Sequence, residues 1–387
     1  MDPLLAALDE TDVKAVLAPF GEERTLPGAA YTDPSVYEWE LEHIWRTGWI
    51  SIGRLADFPP GTATEVTVAG ESLIVTSERR LTAVHNVCRH RGHEILQPGE
   101  QQSTSSLRCP YHGWVYGLDG ALRAAPKMHH RSDLEDVALV DVRIEEWHGW
   151  VLVALGDTAA PLDVYIGDLG EHVAPYVPAT LVAGDLHSYE VAANWKLIHE
   201  NYHECYHCPS IHPQLVAVSN PDSGANRSPG GAWVGGSLTF RNGVETLSMD
   251  GRSGGRRIEG LPDDLLGEAL YVGLIPNLLV SLHPDYVITH RLEPRGEAST
   301  IVHCEWLFPD ATTADPEFDP AYAIEFWDLT NRQDWAACES LQRGAASAGF
   351  RPGVLGSGED AVYQFLGAIA QTYLGQGLHG IPNPGRR

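Results

Sequence analysis

The stretches Cys88-Arg89-His90-Arg91-Gly92-His93 and Cys109-Pro110-Tyr111-His112-Gly113-Trp114 each carry a Cys/His pair, with 18 residues between His90 and Cys109. Two thiolates and two imidazoles suit a tetrahedral Zn²⁺ ion, or a [2Fe-2S] cluster in which one iron takes both cysteines and the other both histidines. A single pair of this kind is common in buried cores, but two pairs on glycine-containing loops are not. The sequence therefore predicts a metal centre formed by Cys88, His90, Cys109 and His112.

The sequence around these loops has the patterns of β-structure. Residues 61–87 alternate between polar and apolar side chains, with a turn at Ala69-Gly70, and Asp119-Gly120 marks a second hairpin. Aromatic and β-branched residues dominate 142–155. We expect a small all-β domain over residues 45–155, preceded by a helical segment, 1–44. Mixed helical and strand patterns predict an α+β domain over 156–387, with a long loop at 220–260.

The densest group of chemically active side chains lies between Asn194 and Pro213. Glu200, Glu204 and His207 have the spacing of one face of a helix, so a carboxylate can orient an imidazole there. Pro209 disfavours helical geometry at Cys208, and we expect the helix to break there and bring His212 back towards His207. Two neutral imidazoles then need one carboxylate to complete a mononuclear Fe(II) site.

The carboxylate is expected on a helix predicted near residues 320–347. Asp334 shares a largely apolar stripe of that helix with Trp327, Thr330, Cys338 and Leu341. A carboxylate on a buried stripe is costly unless a cation meets it, so Asp334 is the preferred ligand. Asp328 lies on a more polar face with Arg332, Trp335 and Glu339, and is expected to be a surface charge.

Taken together, the two Cys/His stretches resemble the two halves of the Rieske motif of ring-hydroxylating oxygenases. The respiratory-chain Rieske proteins carry an additional cysteine in each loop, and this chain has none there. The Asn194–Pro213 segment is similar to the iron-binding motif of the α subunits of the same family. The resemblance covers almost the whole chain. It implies an all-β Rieske [2Fe-2S] domain and a catalytic domain of antiparallel sheet covered by helices, of the helix-grip type, with residues 1–44 packed on the catalytic domain.

The resemblance also implies roles for individual residues. His207, His212 and Asp334 match the facial triad of the mononuclear iron, and Glu204 matches the carboxylate that bridges the two metal centres. In the family, this bridge runs between neighbouring subunits of a trimer, here from His112 to His207. Most members carry Asp at the bridging position. This chain has Glu204 there, and in this respect it resembles the carnitine and glycine-betaine oxygenases.

Bulk composition restricts the partners. The formal net charge of −26 disfavours nucleic acid; it suits a cationic substrate or a basic redox partner, and simple solubility explains it equally. The first ten residues lack the basic region of a secretory signal, and no apolar run reaches the roughly 20 residues of a membrane span, so we expect a cytoplasmic protein. The six cysteines are expected to be ligands or buried thiols before disulfides. For Cys205-x-x-Cys208, redox, zinc and packing roles remain open.

Without a dinucleotide, flavin or plant-type ferredoxin motif, the chain is expected to receive electrons from NAD(P)H through a separate reductase or ferredoxin. The substrate is expected to be a small quaternary ammonium compound, hydroxylated or oxidatively N-demethylated with O₂. Four aromatic residues are candidates either for a cation cage or for core packing: Trp233, Tyr271, Tyr286 and Trp306. Aromatic ring hydroxylation is the alternative within the class, and a pure electron carrier and a zinc-bearing binding module are the alternatives outside it.

Overall fold

In the computed structural model, which describes residues 7–378, 380 and 384, the alternating residues 61–87 form three consecutive antiparallel strands. The first two are joined at Ala69 and Gly70, whose φ angles are 47° and 81°. Positive φ at both central residues is what a tight hairpin turn requires. The β-meander predicted for this region is confirmed.

These strands belong to the first of two compact units, which comprises residues 46–159. Its strands are β1 (Ile50–Arg54), β2 (Thr62–Val68), β3 (Glu71–Ser77), β4 (Leu81–His85), β5 (Gln101–Ser103), β6 (Leu107–Arg108), β7 (Val115–Tyr116), β8 (Leu122–Ala124), β9 (Asp141–Trp147) and β10 (Trp150–Ala154). One antiparallel sheet has the order β1-β10-β9-β4-β3-β2-β5, and a smaller one has the order β6-β7-β8.

The apolar core of this unit reaches the two Cys/His loops. Cys88 and Cys109 are each 2% exposed and pack in one cluster with Ile74, Leu107 and Tyr116. Burial of the cysteines fixes the base of each loop, while the loop tips stay at the surface.

The second unit combines the N-terminal segment up to Trp45 with the chain from Ala160 onward. Sequence patterns placed the boundaries after residues 44 and 155, and the units divide after Trp45 and Ala159. Its strands are β11 (Leu181–Val191), β12 (Ala225–Asn226), β13 (Trp233–Thr239), β14 (Glu268–Leu274), β15 (Leu278–Leu282), β16 (Val287–Gly296) and β17 (Ser299–Pro309). They form one antiparallel sheet in the order β11-β17-β16-β15-β14-β13-β12.

Helices cover this sheet. They are α1 (Glu10–Val16), α2 (Ala29–Thr32), α3 (Pro34–Glu40), α4 (Leu162–Ile166), α5 (Leu169–Val173), α6 (Trp195–Tyr202), α7 (Cys208–Ile211), α8 (Pro213–Val218), α9 (Asp310–Thr313), α10 (Ala321–Ala345) and α11 (Asp360–Tyr373), with a π-helical turn at Leu41–Trp45. Helix α6 contacts β16 and both long helices, α10 and α11. The predicted α+β class, with an antiparallel sheet covered by helices, is confirmed. None of the described helices combines the length and hydropathy that crossing a bilayer needs.

A buried ion pair ties the N-terminal segment to α6. The Lys196 ammonium donates to Glu40 Oε1 at 2.7 Å, and neither side chain is exposed. Lys196 also donates to Asn194 Oδ1, and Trp195 Nε1 and the Tyr373 hydroxyl donate to Glu40. Because both charges are compensated, the pair fixes the position of the helix that leads into the Asn194–Pro213 segment.

Two expectations about local structure were wrong. The segment 220–260 is not one long loop, since it contributes β12 and β13 to the sheet. The helix that begins at Trp195 ends at Tyr202 rather than near Cys208, so Glu200, Glu204 and His207 do not share one helical face. Pro209 lies in the first turn of α7, where a proline has no backbone hydrogen bond to lose, and so begins a helix instead of ending one.

Candidate metal centres

The two Cys/His loops have the same backbone pattern. Cys88 N donates to His93 O at 2.9 Å, and Cys109 N donates to Trp114 O at 2.8 Å. In each loop a glycine N–H donates back to the cysteine carbonyl, with φ angles of 76° at Gly92 and 73° at Gly113. These left-handed positions suit glycine, which explains why each pair is followed by one.

The loops place their four predicted ligands together. The rings of His90 and His112 lie 4.6 Å apart between centroids, and His90 stacks on Trp114. His90 Nδ1 is inaccessible and has no hydrogen-bond partner among the described residues. A buried ring nitrogen without a partner is costly, so this atom fits a ligand to a metal centre between the loops.

Tyr116 is a functional residue that the sequence patterns missed. Its hydroxyl lies 3.2 Å from Cys88 Sγ and accepts a hydrogen bond from Arg89 N at 3.0 Å. With its own acceptor side occupied by Arg89, the hydroxyl is placed to donate to the sulfur. Burial, together with the neighbouring Cys88, raises the pKa of Cys109. In the sequence, the sign that Tyr116 reaches the Cys/His loops was its position two residues after Trp114 in a strand.

A second group of ligands lies in the other unit. His207 follows the end of α6, His212 lies between α7 and α8, and Asp334 projects from α10. Asp334 Oδ1 is 2.8 Å from His212 Nε2 and 3.4 Å from His207 Nε2, and the two Nε2 atoms are 3.2 Å apart. The expectation that these three side chains converge agrees with this geometry.

The outer nitrogens of both rings are engaged. His207 Nδ1 is hydrogen-bonded to Glu204 Oε1, and His212 Nδ1 lies 2.7 Å from Gln333 Oε1. Each acceptor favours a proton on Nδ1, which leaves the Nε2 lone pairs facing the same point as Asp334. Gln333 was not found from the sequence, although it directly precedes Asp334.

Charge also favours a cation at this point. Burial lowers the pKa of His207, but the carboxylates of Asp334 and Glu204 outweigh it and raise the pKa to about 9. Burial raises the pKa of Asp334, but the hydrogen bonds from the two histidines outweigh burial. The pKa of Asp334 is therefore lowered below its usual value. Two imidazole nitrogens and one carboxylate oxygen directed at one point form a facial set that suits Fe(II).

Within the described part of the chain, His207, His212 and Asp334 are the one set of three or more Cys, His, Asp or Glu residues whose ligand atoms all lie within 4.8 Å of one another. The four loop ligands do not meet this criterion.

Cys205 and Cys208 form a disulfide, with a Cα–Cα distance of 4.9 Å. The expectation that all six cysteines are ligands or buried thiols is therefore wrong for this pair. The helix ends before Cys205, so the two side chains can approach each other around His207. Of the other four, Cys304 and Cys338 are buried free thiols.

A cavity opens beside the His207, His212 and Asp334 group, with about 900 Å³ of empty space that is partly continuous with solvent. Its aromatic lining residues are Tyr202, Tyr271, Trp327 and Trp335. Among the described residues, no lysine or arginine lines it. Trp335 was assigned to the polar face of its helix and Leu341 to the apolar one, but Trp335 is buried and Leu341 is exposed.

The aromatic cage has one member at most, and core packing, the alternative, accounts for the other three residues. Of its four residues, only Tyr271 lines the cavity. Trp233 donates to Asp168, and the Tyr286 hydroxyl donates to Leu247 O, so both polar groups are used in the interior. Trp306 is fully buried elsewhere in the sheet. Alternation along a strand does not tell which buried aromatic residues reach a cavity.

Comparisons with known proteins agree with these two centres. Residues 48–144 match the family model described as the Rieske [2Fe-2S] domain. Residues 178–375, about half of the chain, match the model described as ring hydroxylating alpha subunit (catalytic domain). The chain belongs to the ring-hydroxylating oxygenase α-subunit family.

Relatives of this α subunit include the glycine betaine monooxygenase oxygenase subunit of Chromohalobacter salexigens. The two are 30% identical over 386 residues, which cover 91% of this chain and 86% of the relative. The carnitine monooxygenase oxygenase subunit of Escherichia coli K12 is 34% identical over 207 residues, which cover 50% of this chain and 53% of that protein.

Two solved structures share the fold. The quaternary ammonium Rieske monooxygenase CntA in complex with L-carnitine has a TM-score of 0.73 at 24% identity, over 90% of this chain and 96% of that chain. Naphthalene 1,2-dioxygenase from Rhodococcus sp. has a TM-score of 0.76 at 18% identity, over 96% and 98% of the two chains. Both classes of oxygenase therefore use this architecture, and the fold alone does not select a substrate.

As a member of the family, the chain is the oxygenase subunit of a multicomponent system. It uses a Rieske [2Fe-2S] cluster, a mononuclear iron and O₂, and electrons reach it from a separate reductase. The pure electron carrier and the zinc-bearing binding module are therefore excluded.

Proposed function

We propose that this α subunit oxidises a small quaternary ammonium compound, by hydroxylation or oxidative N-demethylation. The observation that carries the proposal is the lining of the cavity beside His207, His212 and Asp334. It combines four aromatic side chains with the carboxylates of Glu204 and Asp334, and the part of the chain that the structure describes places no lysine or arginine in this lining.

This lining favours a cation on physical grounds. A methylated ammonium group is attracted by the negative faces of aromatic rings and has no N–H that needs an acceptor. An aromatic acid or hydrocarbon brings no cation for these rings to attract, so the aromatic lining gives it no comparable electrostatic gain. The glycine betaine and carnitine monooxygenase relatives support the same class of substrate.

We assign Cys88, His90, Cys109 and His112 to the cluster, and His207, His212 and Asp334 to the iron. Bound at these sites, the cluster supplies electrons one at a time and the iron activates O₂. The chain's own side chains orient these ligands and line the substrate cavity. The assignment extends to domains: 45–155 carries the cluster and 156–387 the iron, while 1–44 packs on the latter through pairs such as Glu40 and Lys196.

We also propose a homotrimer in which His112 of one subunit approaches Glu204 of the next. Glu204 is hydrogen-bonded to His207, and the neighbouring Tyr206 is 73% exposed. His112 is exposed, and a cation lies next to its loop, since Arg91 of the other Cys/His loop lies over the ring of Tyr111. A basic loop surface suits the acidic carboxylate of a second subunit. A cytoplasmic location stays a prediction from the sequence.

The test is oxygen uptake by the purified subunit with a ferredoxin reductase, NADH and a substrate panel. Glycine betaine, carnitine and choline are compared with benzoate and naphthalene, and formaldehyde is measured because N-demethylation releases it. We expect substrate-dependent uptake with at least one ammonium compound. Uptake coupled to product formation only with benzoate or naphthalene would overturn the proposal in favour of aromatic ring hydroxylation.

A further inference from the structure

A turn closed by a disulfide carries one of the three residues assigned to the iron. Cys205 and Cys208 are bonded through sulfur, and Cys208 N donates to Cys205 O at 3.2 Å. His207 lies between the two cysteines, and Glu204 directly precedes them. The ligands assigned to the cluster and to the iron do not include either sulfur, so neither metal explains why this turn is crosslinked.

The disulfide spans a connection between two helices. Helix α6 ends at Tyr202 and α7 begins at Cys208, so His207 lies outside both. Its backbone is therefore held by the bonds of the turn itself and not by the hydrogen bonds of a helix. The disulfide is a covalent bond across this turn, and it fixes the backbone on both sides of His207.

Glu204 depends on the same turn. Its Oε2 accepts hydrogen bonds from the backbone N–H groups of Tyr206 and His207, the latter at 3.1 Å, and its Oε1 is bonded to His207 Nδ1. A change in the backbone at 205–208 would therefore move both the imidazole and the carboxylate that orients it. Partners that orient a metal-bound histidine affect metal affinity by about 10- to 100-fold. Opening the disulfide is thus expected to weaken iron binding without removing a ligand.

The disulfide can be reached from the cavity. Both cysteines line it, and its empty space of about 900 Å³ is partly continuous with solvent. Cys208 is 2% exposed, whereas Cys205 is only partly buried. A low-molecular-weight dithiol that enters the cavity would therefore meet the sulfur of Cys205 first.

A dithiol alone balances the exchange at this site. One of its thiolates attacks Cys205 Sγ, the bond to Cys208 Sγ breaks, and Cys208 leaves with the electron pair and takes up a proton. The second thiol of the reagent then displaces Cys205 as a thiol, and the reagent leaves as its own disulfide. Hydrogen peroxide reverses the change, because it oxidises Cys205 to a sulfenic acid with release of water, and Cys208 then displaces a second water as the disulfide forms again.

We propose that Cys205 and Cys208 form a thiol–disulfide exchange site that controls how tightly the iron is held. The disulfide form keeps Glu204 and His207 in their present positions, and the dithiol form releases iron faster. This inference rests on the proposed assignment of His207 to the iron, and it adds a response of the α subunit to thiols and to peroxide.

The first measurement tests the exchange in the folded subunit. Protein purified without thiols is incubated under argon with dithiothreitol, free thiols are trapped with N-ethylmaleimide, and a tryptic digest is measured by mass spectrometry. Residues 197–227 form one tryptic fragment that contains Cys205 and Cys208 and no other cysteine. We expect no label on this fragment before dithiothreitol and two labels after it. Once dithiothreitol has been removed and hydrogen peroxide added, the fragment should again carry no label.

The second measurement follows iron in the same samples. Subunit loaded with Fe(II) is mixed under argon with the chelator ferrozine, whose coloured iron complex gives the rate of iron release. The absorbance of the cluster is recorded in parallel and reports an intact Rieske centre. Reduction by dithiothreitol should raise the rate of release about 10-fold, and treatment with peroxide followed by reloading should restore the slow rate.

Two sets of variants separate the exchange from chelation of iron by the reagent. The double variant Cys205→Ser with Cys208→Ser should release iron as fast as the reduced wild type, and dithiothreitol should not change its rate. Cys304→Ser is the matched control, because Cys304 is a buried free thiol. It should show the same response to dithiothreitol as the wild type.

The outcomes distinguish the exchange site from the iron assignment. If His207→Ala retains the slowly released iron, the assignment of His207 fails and the exchange site fails with it. If His207→Ala lacks that iron, but reduced and oxidised wild type release iron at the same rate, the assignment stands and the exchange site is overturned. A fragment that is labelled twice before reduction, or never labelled, also overturns the exchange site. Faster release that peroxide reverses supports both.

Discussion

Replacing Glu40 by alanine tests how firmly the N-terminal segment holds the helix that leads to the iron ligands. The substitution would leave the unexposed Lys196 ammonium without its counter-charge at 2.7 Å, and remove an acceptor from Trp195 and Tyr373. Breaking a buried pair on one side costs about 3–5 kcal/mol. Burial already lowers the pKa of Lys196, so loss of its proton limits the cost, and we expect about 3–4 kcal/mol.

The free energy of unfolding is measured by urea titration followed by tryptophan fluorescence, and iron content is measured in parallel. Glu38→Ala, an exposed residue of the same helix, is the control and should change stability by less than about 0.5 kcal/mol. The paired change Glu40→Leu with Lys196→Met removes both charges and should be much milder than Glu40→Ala. A loss below about 1 kcal/mol for Glu40→Ala would refute the view that this pair anchors α6.

Four further predictions concern the metal centres and their surroundings. His207→Ala should leave the visible spectrum of the cluster intact and abolish turnover. Loss of the spectrum as well would contradict the assignment of His207 to the iron and not to the cluster. Glu204→Gln should retain both metals but slow electron transfer to the iron, and unaltered single-turnover rates would contradict the bridge. Tyr116→Phe should lower the reduction potential of the cluster by roughly 30–60 mV, because a hydrogen bond to a thiolate stabilises the more negative reduced state, and protein-film voltammetry measures it. Burial raises the pKa of Glu200 to about 7, so the folded chain keeps a proton that the unfolded chain releases near pH 4.5, and stability falls between these pH values. Between pH 4.5 and pH 8, the free energy of unfolding of Glu200→Gln should therefore rise relative to that of the wild type by on the order of 2–3 kcal/mol. Equal pH dependence of the two proteins in urea titrations would contradict this.

Short-range spacing explains what the sequence could predict. Cys88-x-His90 and Cys109-x-x-His112 each lie on one tight loop, so local geometry decides where the side chains go. The helical periodicity around Asp334 likewise placed it on an inward-facing helix, which the structure has at Ala321–Ala345.

Contacts between distant segments explain most of what it could not. Trp335 was expected to be exposed and Leu341 buried, and the structure has the reverse. The elements that pack on a helix, and not the helix itself, decide which side of a wide apolar stripe is buried. The hydroxyl of Tyr116 and the amide of Gln333 have roles only through partners on other loops. The break after Tyr202 was misplaced because Pro209 was interpreted as ending a helix when it begins one.

The crosslink between Cys205 and Cys208 has a consequence at the bench. Reduction of a disulfide consumes two electrons, so a stoichiometric dithionite titration of this subunit has a second acceptor besides its metals. Anaerobic alkylation before and after such a titration would count the thiols released. Reductant stoichiometry for this oxygenase should therefore be normalised to thiol content as well as to iron.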